Sequence, residues 1–296
     1  MLNIKFITDS TSDIPKEYAE ENNIGVVGVR INFPEGNSVA DWYEITHDEF
    51  YDYLERTNNI PSTSQPPIAE IADMFEKALQ DHEAIIFVAT SSNSSGSFNS
   101  ARLAKEMVLE KNPNAKIEIV DSQAFSLFET IMLEEGLKLQ KEGKSIEEIV
   151  EGMKMRRRLT DVCVVVDTLK YLEKGGRINK ASLIAGTLLD LKPVLSVRGG
   201  TMESIDKFRG SKTVIQKMVK KVKTMDIDLS DPQFSFVHSH VEPKALEMIA
   251  AFEEGFENSK ARFFNELGAT VATHIGPGTL AVFFKLNTPQ KIYEED

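Results

Sequence analysis

The apolar positions of the first half fall into short runs separated by helical stripes. Residues 4–7 form a strand-like run that ends in Thr8-Asp9-Ser10, and Pro15 opens a short helix as its first residue. Residues 24–31 read as the next apolar strand. Thr46-His47-Asp48-Glu49 has the order of a capping box and starts a helix to about Arg56. Between 67 and 80, Ile68, Ile71, Ala72, Phe75, Ala78 and Leu79 share one helical face. Ile85, Ile86, Phe87, Val88 and Ala89 make a run short enough for a buried parallel strand, followed by a hydroxyl-rich loop and a helix. Residues 116–120 predict another strand, ending in Asp121-Ser122. Ser145-Ile146-Glu147-Glu148 predicts a second capping box, on a helix to about Arg157. Such alternation argues for a parallel sheet with helices on both faces. Ligands of such sheets sit beyond the carboxyl ends of the strands, where the polar clusters at 8–12, 90–97 and 121–122 fall.

The second half follows a different pattern. Residues 161–166 predict a strand, 168–174 a short helix closed by Gly175-Gly176, and 179–189 a helix. Residues 192–197 and 201–208 bracket Gly199-Gly200 as a hairpin. Residues 212–224 predict a helix, 234–238 a strand and 243–257 a helix. Strands at 270–273 and 279–286 are expected around His274-Ile275-Gly276-Pro277-Gly278. The expected fold is therefore α/β. A three-layer domain with a parallel sheet covers 1–158, and an α+β domain with a mixed sheet covers 159–296, the boundary lying after Arg156-Arg157-Arg158. No internal repeat is visible.

Composition narrows the function classes. A net charge of −12 over 296 residues argues against a nucleic-acid binder and against docking on anionic membranes by general charge. No apolar run approaches the roughly 20 residues that span a bilayer. The chain starts on a strand-like segment with no signal peptide, and Cys163 lies in the apolar run Val162-Cys163-Val164-Val165-Val166 as an inert buried residue. These features lead us to expect a soluble cytoplasmic protein.

Three segments carry candidate chemistry. Thr90, Ser91, Ser92, Asn93, Ser94, Ser95 and Ser97, with Gly96, place seven hydroxyl or amide side chains at a strand's carboxyl end. A helix opening there aims free N–H groups at the same spot, which suits an anion, although the same residues also serve an ordinary helix cap. Pro61-Ser62-Thr63-Ser64-Gln65-Pro66-Pro67 precedes a helix and fits a cap equally well. His274 lies in a Gly-Pro-rich loop whose glycines permit close backbone approach. His238 and His240 alternate, but two histidines make a poor metal site, so no metal is expected. Asp9, Asp121 and Asp167 read as turn and cap residues. No Gly-x-Ser-x-Gly, Gly-x-x-x-x-Gly-Lys or Gly-x-Gly-x-x-Gly is present, and no base stands beside the hydroxyl loop. We therefore expect binding rather than catalysis, with no catalytic residue and no cofactor.

Taken together the motifs resemble the DegV family of fatty-acid-binding proteins. The resemblance rests on Thr8-Asp9-Ser10-Thr11-Ser12-Asp13-Ile14-Pro15, Thr63-Ser64-Gln65-Pro66, Ser91-Ser92-Asn93-Ser94-Ser95-Gly96-Ser97, Val120-Asp121-Ser122, Leu172-Glu173-Lys174-Gly175-Gly176-Arg177-Ile178, Lys192-Pro193-Val194 and His274-Ile275-Gly276-Pro277-Gly278. They occur in the family's order across nearly the whole chain. Ser97 stands where threonine is usual, and Pro67 where a small polar residue is common. The resemblance implies a two-domain α/β protein holding one long-chain fatty acid between its domains. It implies Thr63 and Ser95 on the carboxylate, assisted by His274, with Ser64, Ser94 and Gly96 adjacent. It also implies a separate ATP-dependent fatty-acid kinase as partner, engaged through Arg177 and Arg209, whose acyl phosphate product enters phospholipid synthesis. The apolar tunnel would draw on the 17 Phe, the 10 Met and the aliphatic residues. Two other readings stay open: a lipid sensor without a kinase, and a Ser95-dependent enzyme acting on a small acyl or sugar-like ligand.

Overall fold

The computed structural model describes residues 2–178, 191–230 and 232–291. Strand β1 (Ile4–Asp9), helix α1 (Lys16–Glu21) and strands β2 (Gly25–Val27), β3 (Arg30–Asn32) and β4 (Ser38–Ala40) open the chain. There follow α2 (His47–Thr57), β5 (Ser62–Ser64), α3 (Ile68–Asp81), β6 (Ala84–Ala89), α4 (Ser97–Lys111), β7 (Ile117–Asp121), α5 (Leu127–Lys141) and α6 (Ile146–Arg158). The second half contains β8 (Thr160–Val165), α7 (Lys170–Gly175), β9 (Leu191–Arg198), β10 (Thr201–Arg209), α8 (Val214–Lys223), β11 (Gln233–His238), α9 (Glu242–Gly255), β12 (Lys260–Glu266), α10 (Ala269–Ile275) and β13 (Leu280–Lys285).

The first large sheet has the order β2-β1-β6-β7 and is parallel throughout. The second has the order β10-β9-β8-β13-β11-β12; β11 and β12 are parallel and every other neighbouring pair is antiparallel. A small antiparallel sheet, β4-β3-β5, was not expected from the sequence.

Alternation along each central strand divides the core. In β6, Ile85, Phe87 and Ala89 pack with α3 and α4, whereas Ala84, Ile86 and Val88 pack with α5 and α6. In β8, Val162 and Val164 meet Leu127, Phe128 and Ile131 at the start of α5, while Cys163 and Val165 meet α8 and α9. Helix α5 is thus sandwiched between the two large sheets.

Several elements depart from the sequence reading. The run at 24–31 is two strands in different sheets. It breaks at Gly28, where a Cβ would stand 2.6 Å from the Asp41 carbonyl oxygen. Pro15 is the residue before α1 and not its first helical residue. Helix α5 and strand β12 had no expected counterpart. Residues 270–273, expected as a strand, belong to helix α10. Both capping boxes form as expected, at Thr46 with Glu49 and at Ser145 with Glu148. The expected helix at 179–189 lies outside the described residues.

Candidate functional site

The carboxyl end of β6 leads into the hydroxyl loop, and β5, α7 and α10 close around it. A cavity of about 90 Å³ lies among them. Its wall includes Thr63, Ser64, Gln65, Ser94, Ser95, Gly96, Arg177 and His274. Seven of the eight residues expected at a site are therefore brought together. Arg209 is not: it is exposed at the end of β10, outside the residues that line this cavity.

Each wall residue has a local cause. Pairing of β5 with β3 sets Thr63 opposite Ile31, and Thr63 Oγ1 lies 2.9 Å from His274 Nε2. His274 is carried by α10 and does not lie in a loop, a correction to the sequence expectation. It is partly buried with Gly175 against its ring, where a Cβ would stand 2.4 Å from Nδ1. That Nδ1 is buried without a hydrogen-bond partner. Burial, helped by the nearby Arg177 charge, holds the His274 pKa down to about 4, so the imidazole is neutral at physiological pH. With its proton on Nε2, His274 donates to Thr63 Oγ1 and leaves the threonine hydroxyl proton for a ligand.

Ser95 lies two residues before α4: its Oγ accepts from the Ser97 N–H at 3.2 Å and lies 3.0 Å from Ser97 Oγ. Ser64 Oγ accepts from Asn32 Nδ2 at 3.2 Å. Ser94 donates its hydroxyl to the Gly200 carbonyl, so its side chain ties the loop to the β9–β10 turn. At Gly96 a Cβ would stand 2.7 Å from the Gln65 side chain, so the glycine makes room for Gln65. The Arg177 side chain, in the loop after α7, is partly buried against the hydroxyl loop. Its Nε donates to the Ser94 carbonyl at 3.1 Å and its Nη1 to the Gly175 carbonyl.

Among the described residues, Arg177 is the only formally charged one in the wall and no carboxylate lines the cavity. Hydroxyls, a neutral imidazole and one guanidinium form a donor set suited to an anion. Thr11, Thr90 and Thr270 also line the wall, but Thr90 donates its hydroxyl to the Ala124 carbonyl at 3.2 Å and Thr270 to Asp41 Oδ2 at 2.5 Å. Phe125, Met202, Val271 and Ile275 also line a second, narrower cavity of about 20 Å³. Phe128, Val162, Val164, Val197 and Phe283 surround that slot between α5 and the six-stranded sheet. A polar mouth therefore shares a wall with an apolar slot.

The remaining polar candidates sort as follows. Asp9 caps the turn at Ser10–Ser12, accepting from the Thr11 N–H at 2.9 Å, and Asp121 accepts from the Gln123 N–H at 2.8 Å. Asp167 pairs with Lys192 at 2.8 Å instead of capping α7. His238 and His240 both approach Glu266.

Comparison with known proteins places these features in a family. Residues 3–287 match the family model described as "Uncharacterised protein, DegV family". A DegV domain-containing protein of Caldanaerobacter subterraneus is 33% identical over 286 residues, covering 96% of this chain and 99% of that protein. One from Clostridium perfringens is 31% identical over 281 residues, covering 95% and 98%. Among solved structures, a fatty-acid-binding DegV family protein from Thermus thermophilus is similar at a TM-score of 0.84 and 30% identity, over 96% of this chain and 100% of that one. DegV, a fatty acid binding protein from Bacillus subtilis, is similar at a TM-score of 0.84 and 27% identity, over 97% and 100%.

Proposed function

We propose a carrier function for this chain, which belongs to the DegV family. It binds one long-chain fatty acid with the carboxylate at Thr63 and Ser95, and presents it to a separate ATP-dependent fatty-acid kinase. The observation that carries this reading is a donor-lined mouth that shares four wall residues with an apolar slot. The fatty acids bound by the Thermus thermophilus and Bacillus subtilis relatives support the ligand class.

The physical case starts at the carboxylate. Burying it without donors is prohibitive. Thr63 and Ser95 offer hydroxyl protons and His274 polarises Thr63, while the Arg177 guanidinium is already committed to two backbone carbonyls and serves the presentation step. Such partial compensation leaves a carboxylate oxygen able to attack a phosphoryl group. The chain supplies the affinity: about 14 methylenes at about 0.8 kcal/mol each give roughly 11 kcal/mol gross. Ordering the chain removes a large part of this. So does parting the side chains of the narrow slot, Phe128 and Phe283 among them. Acyl phosphate made by the kinase then passes to phospholipid synthesis, which sets the carrier in the cytoplasm beside its ATP-using partner. No helix among the described residues is long and apolar enough to cross a membrane.

The hydrogen bonds at Ser95 count against the nucleophile reading. Its Oγ is engaged by Ser97, and among the described residues the imidazole nearest the mouth bonds Thr63.

Native mass spectrometry of the purified chain tests the proposal. A co-purified fatty acid, retained by wild type and depleted in Thr63→Ala and Ser95→Ala, supports it. A double variant that carries lipid with wild-type thermal stability overturns the site. Adding a fatty-acid kinase and ATP tests the partner: Arg177→Ala should keep lipid and lose acyl-phosphate formation. Wild-type turnover by that variant removes Arg177 from the presentation step.

A further inference from the structure

Three of the five histidines of the chain converge on one carboxylate outside the cavity described above. Glu266 ends β12, in register with His238 at the end of β11. His240 follows two residues later, and the first turn of α2 brings His47 and Asp48 to the same point. His240 Nδ1 lies 3.2 Å from Glu266 Oε1, and His47 Nδ1 lies 3.4 Å from Glu266 Oε2. One donor atom each from Asp48, His240 and Glu266 fall within 4.8 Å of one another.

These distances suit a metal shell. Ligands about 2.0–2.2 Å from a tetrahedral ion stand roughly 3.3–3.6 Å apart along each edge. The His240–Glu266 edge is already near that length, and Asp48 is an exposed side chain at a helix start, free to close the remainder. His238 is not a ligand in this arrangement. Its Nδ1 is 3.8 Å from Glu266 but accepts the Val241 N–H at 3.4 Å, so its lone pair is engaged.

The neighbours hold the donors in place. The Tyr51 ring stacks on His240 at 4.8 Å between centroids and 16° between planes. The Tyr51 hydroxyl donates to the Leu267 carbonyl at 3.0 Å and lies 3.1 Å from Ser239 Oγ. One buried tyrosine, three residues along α2 from Asp48, thus fastens the residue before His240 and the residue after Glu266. His240 has φ 57°, which turns the chain back after β11 and lays its ring on Tyr51.

We propose that Asp48, His240 and Glu266 bind a first-row divalent transition-metal ion of the zinc type. His47 orients Glu266 through its second oxygen, and water completes the shell. The imidazole selects this class over magnesium or calcium, which prefer all-oxygen shells. The ion joins the start of α2 to the carboxyl edge of the six-stranded sheet. The ordinary alternative is an ion-pair cluster of Glu266 with its histidines.

Calorimetric titration of the full chain, treated with EDTA and dialysed, with zinc chloride at about pH 7.5 distinguishes the two. The proposal expects one saturable equivalent. His240→Ala and Asp48→Asn should each weaken it by roughly tenfold or more, and His47→Asn by a smaller factor. Asp48 is exposed, so its variant reports on the ion and not on folding, and His82→Ala is the control. Cobalt titration should give the visible ligand-field bands of a nitrogen–oxygen site. The absence of saturable uptake, or equal uptake by the His240→Ala/Asp48→Asn double variant, overturns the proposal and leaves an ion-pair cluster.

Discussion

Gly175→Ala isolates the packing of the imidazole at the mouth. Gly175 is the last residue of α7, where the backbone accepts any residue, so the whole effect falls on the methyl group. That carbon would stand 2.4 Å from His274 Nδ1, 3.3 Å from Cε1 and 3.4 Å from Cγ. The ring must yield by about 1 Å to reach an ordinary contact. It cannot do so while keeping its 2.9 Å bond to Thr63. Overpacking costs about 1–3 kcal/mol and the lost hydrogen bond about 0.5–1.5 kcal/mol. Helix propensity returns at most about 1 kcal/mol at this terminal position. The net loss is about 0.5–3.5 kcal/mol, a fall in Tm of roughly 1–6 °C for a chain of this size. Fatty-acid affinity should fall with it, because Thr63 loses its orienting partner. Thermal melts and hexadecanoate titrations of Gly175→Ala, His274→Ala and the double variant form a closed cycle. If the clash is the cause, the methyl costs less than half as much without the imidazole. An equal cost in both backgrounds, or a Gly175→Ala protein with wild-type Tm and affinity, refutes this account.

Further expectations concern the buried titrating groups. His274 is held to about 4 by burial. As pH falls from about 6.5 to about 4 the unfolded chain takes up this proton first, so wild type should lose about 3 kcal/mol relative to His274→Gln across that window, measured by urea titrations at each pH. Asp13 behaves oppositely. Burial pushes it up to about 7, so its stabilising neutral form is lost as pH rises from about 4 to about 7. Asp13→Asn keeps an acceptor for the Gly268 N–H and should gain on wild type over that range by at most about 4 kcal/mol; parallel curves would refute the assignment. Glu129 is fully buried, accepts from Thr8 Oγ1 at 3.0 Å, and is pushed well up by burial and then by Asp9. Glu129→Gln should melt within about 1 kcal/mol of wild type near neutral pH, and a loss above about 3 kcal/mol would mean the group is ionised.

Particular residues show what could be read from the chain and what could not. The capping boxes at Thr46 and Ser145 are local signals and were legible, as was the all-apolar β6. Helix α5 was missed because it is apolar on both sides: Phe128 and Ile131 face one sheet, Met132 and Leu133 the other, and no stripe forms. Helix α10 carries Thr270, Val271 and Thr273, which favour strands, yet tertiary packing of Ala269, Ala272 and Ile275 decides the matter. The cavity residues were legible as motifs, but not the commitment of Ser94 to Gly200 or the inward turn of Arg177, which depend on distant backbone. Glu266 drew no notice because its partners lie 26 residues before it, at His240, and over 200 residues before it, at Asp48 and His47.

The position of α5 bears on how the chain folds. Ala124, Leu127, Phe128 and Ile131 precede Arg158 in sequence, yet they complete the core built on β8, β9 and β13. Severing the chain at Arg158 would strip the later fragment of one wall of its interior and leave the earlier one with an exposed apolar ridge. Both halves should therefore melt in a single transition, with amide exchange of β6 and β8 protected to the same free energy. A ligand seated in the slot beside Phe128 would raise that shared barrier for the whole molecule, so lipid loading should register as protease resistance far from the mouth.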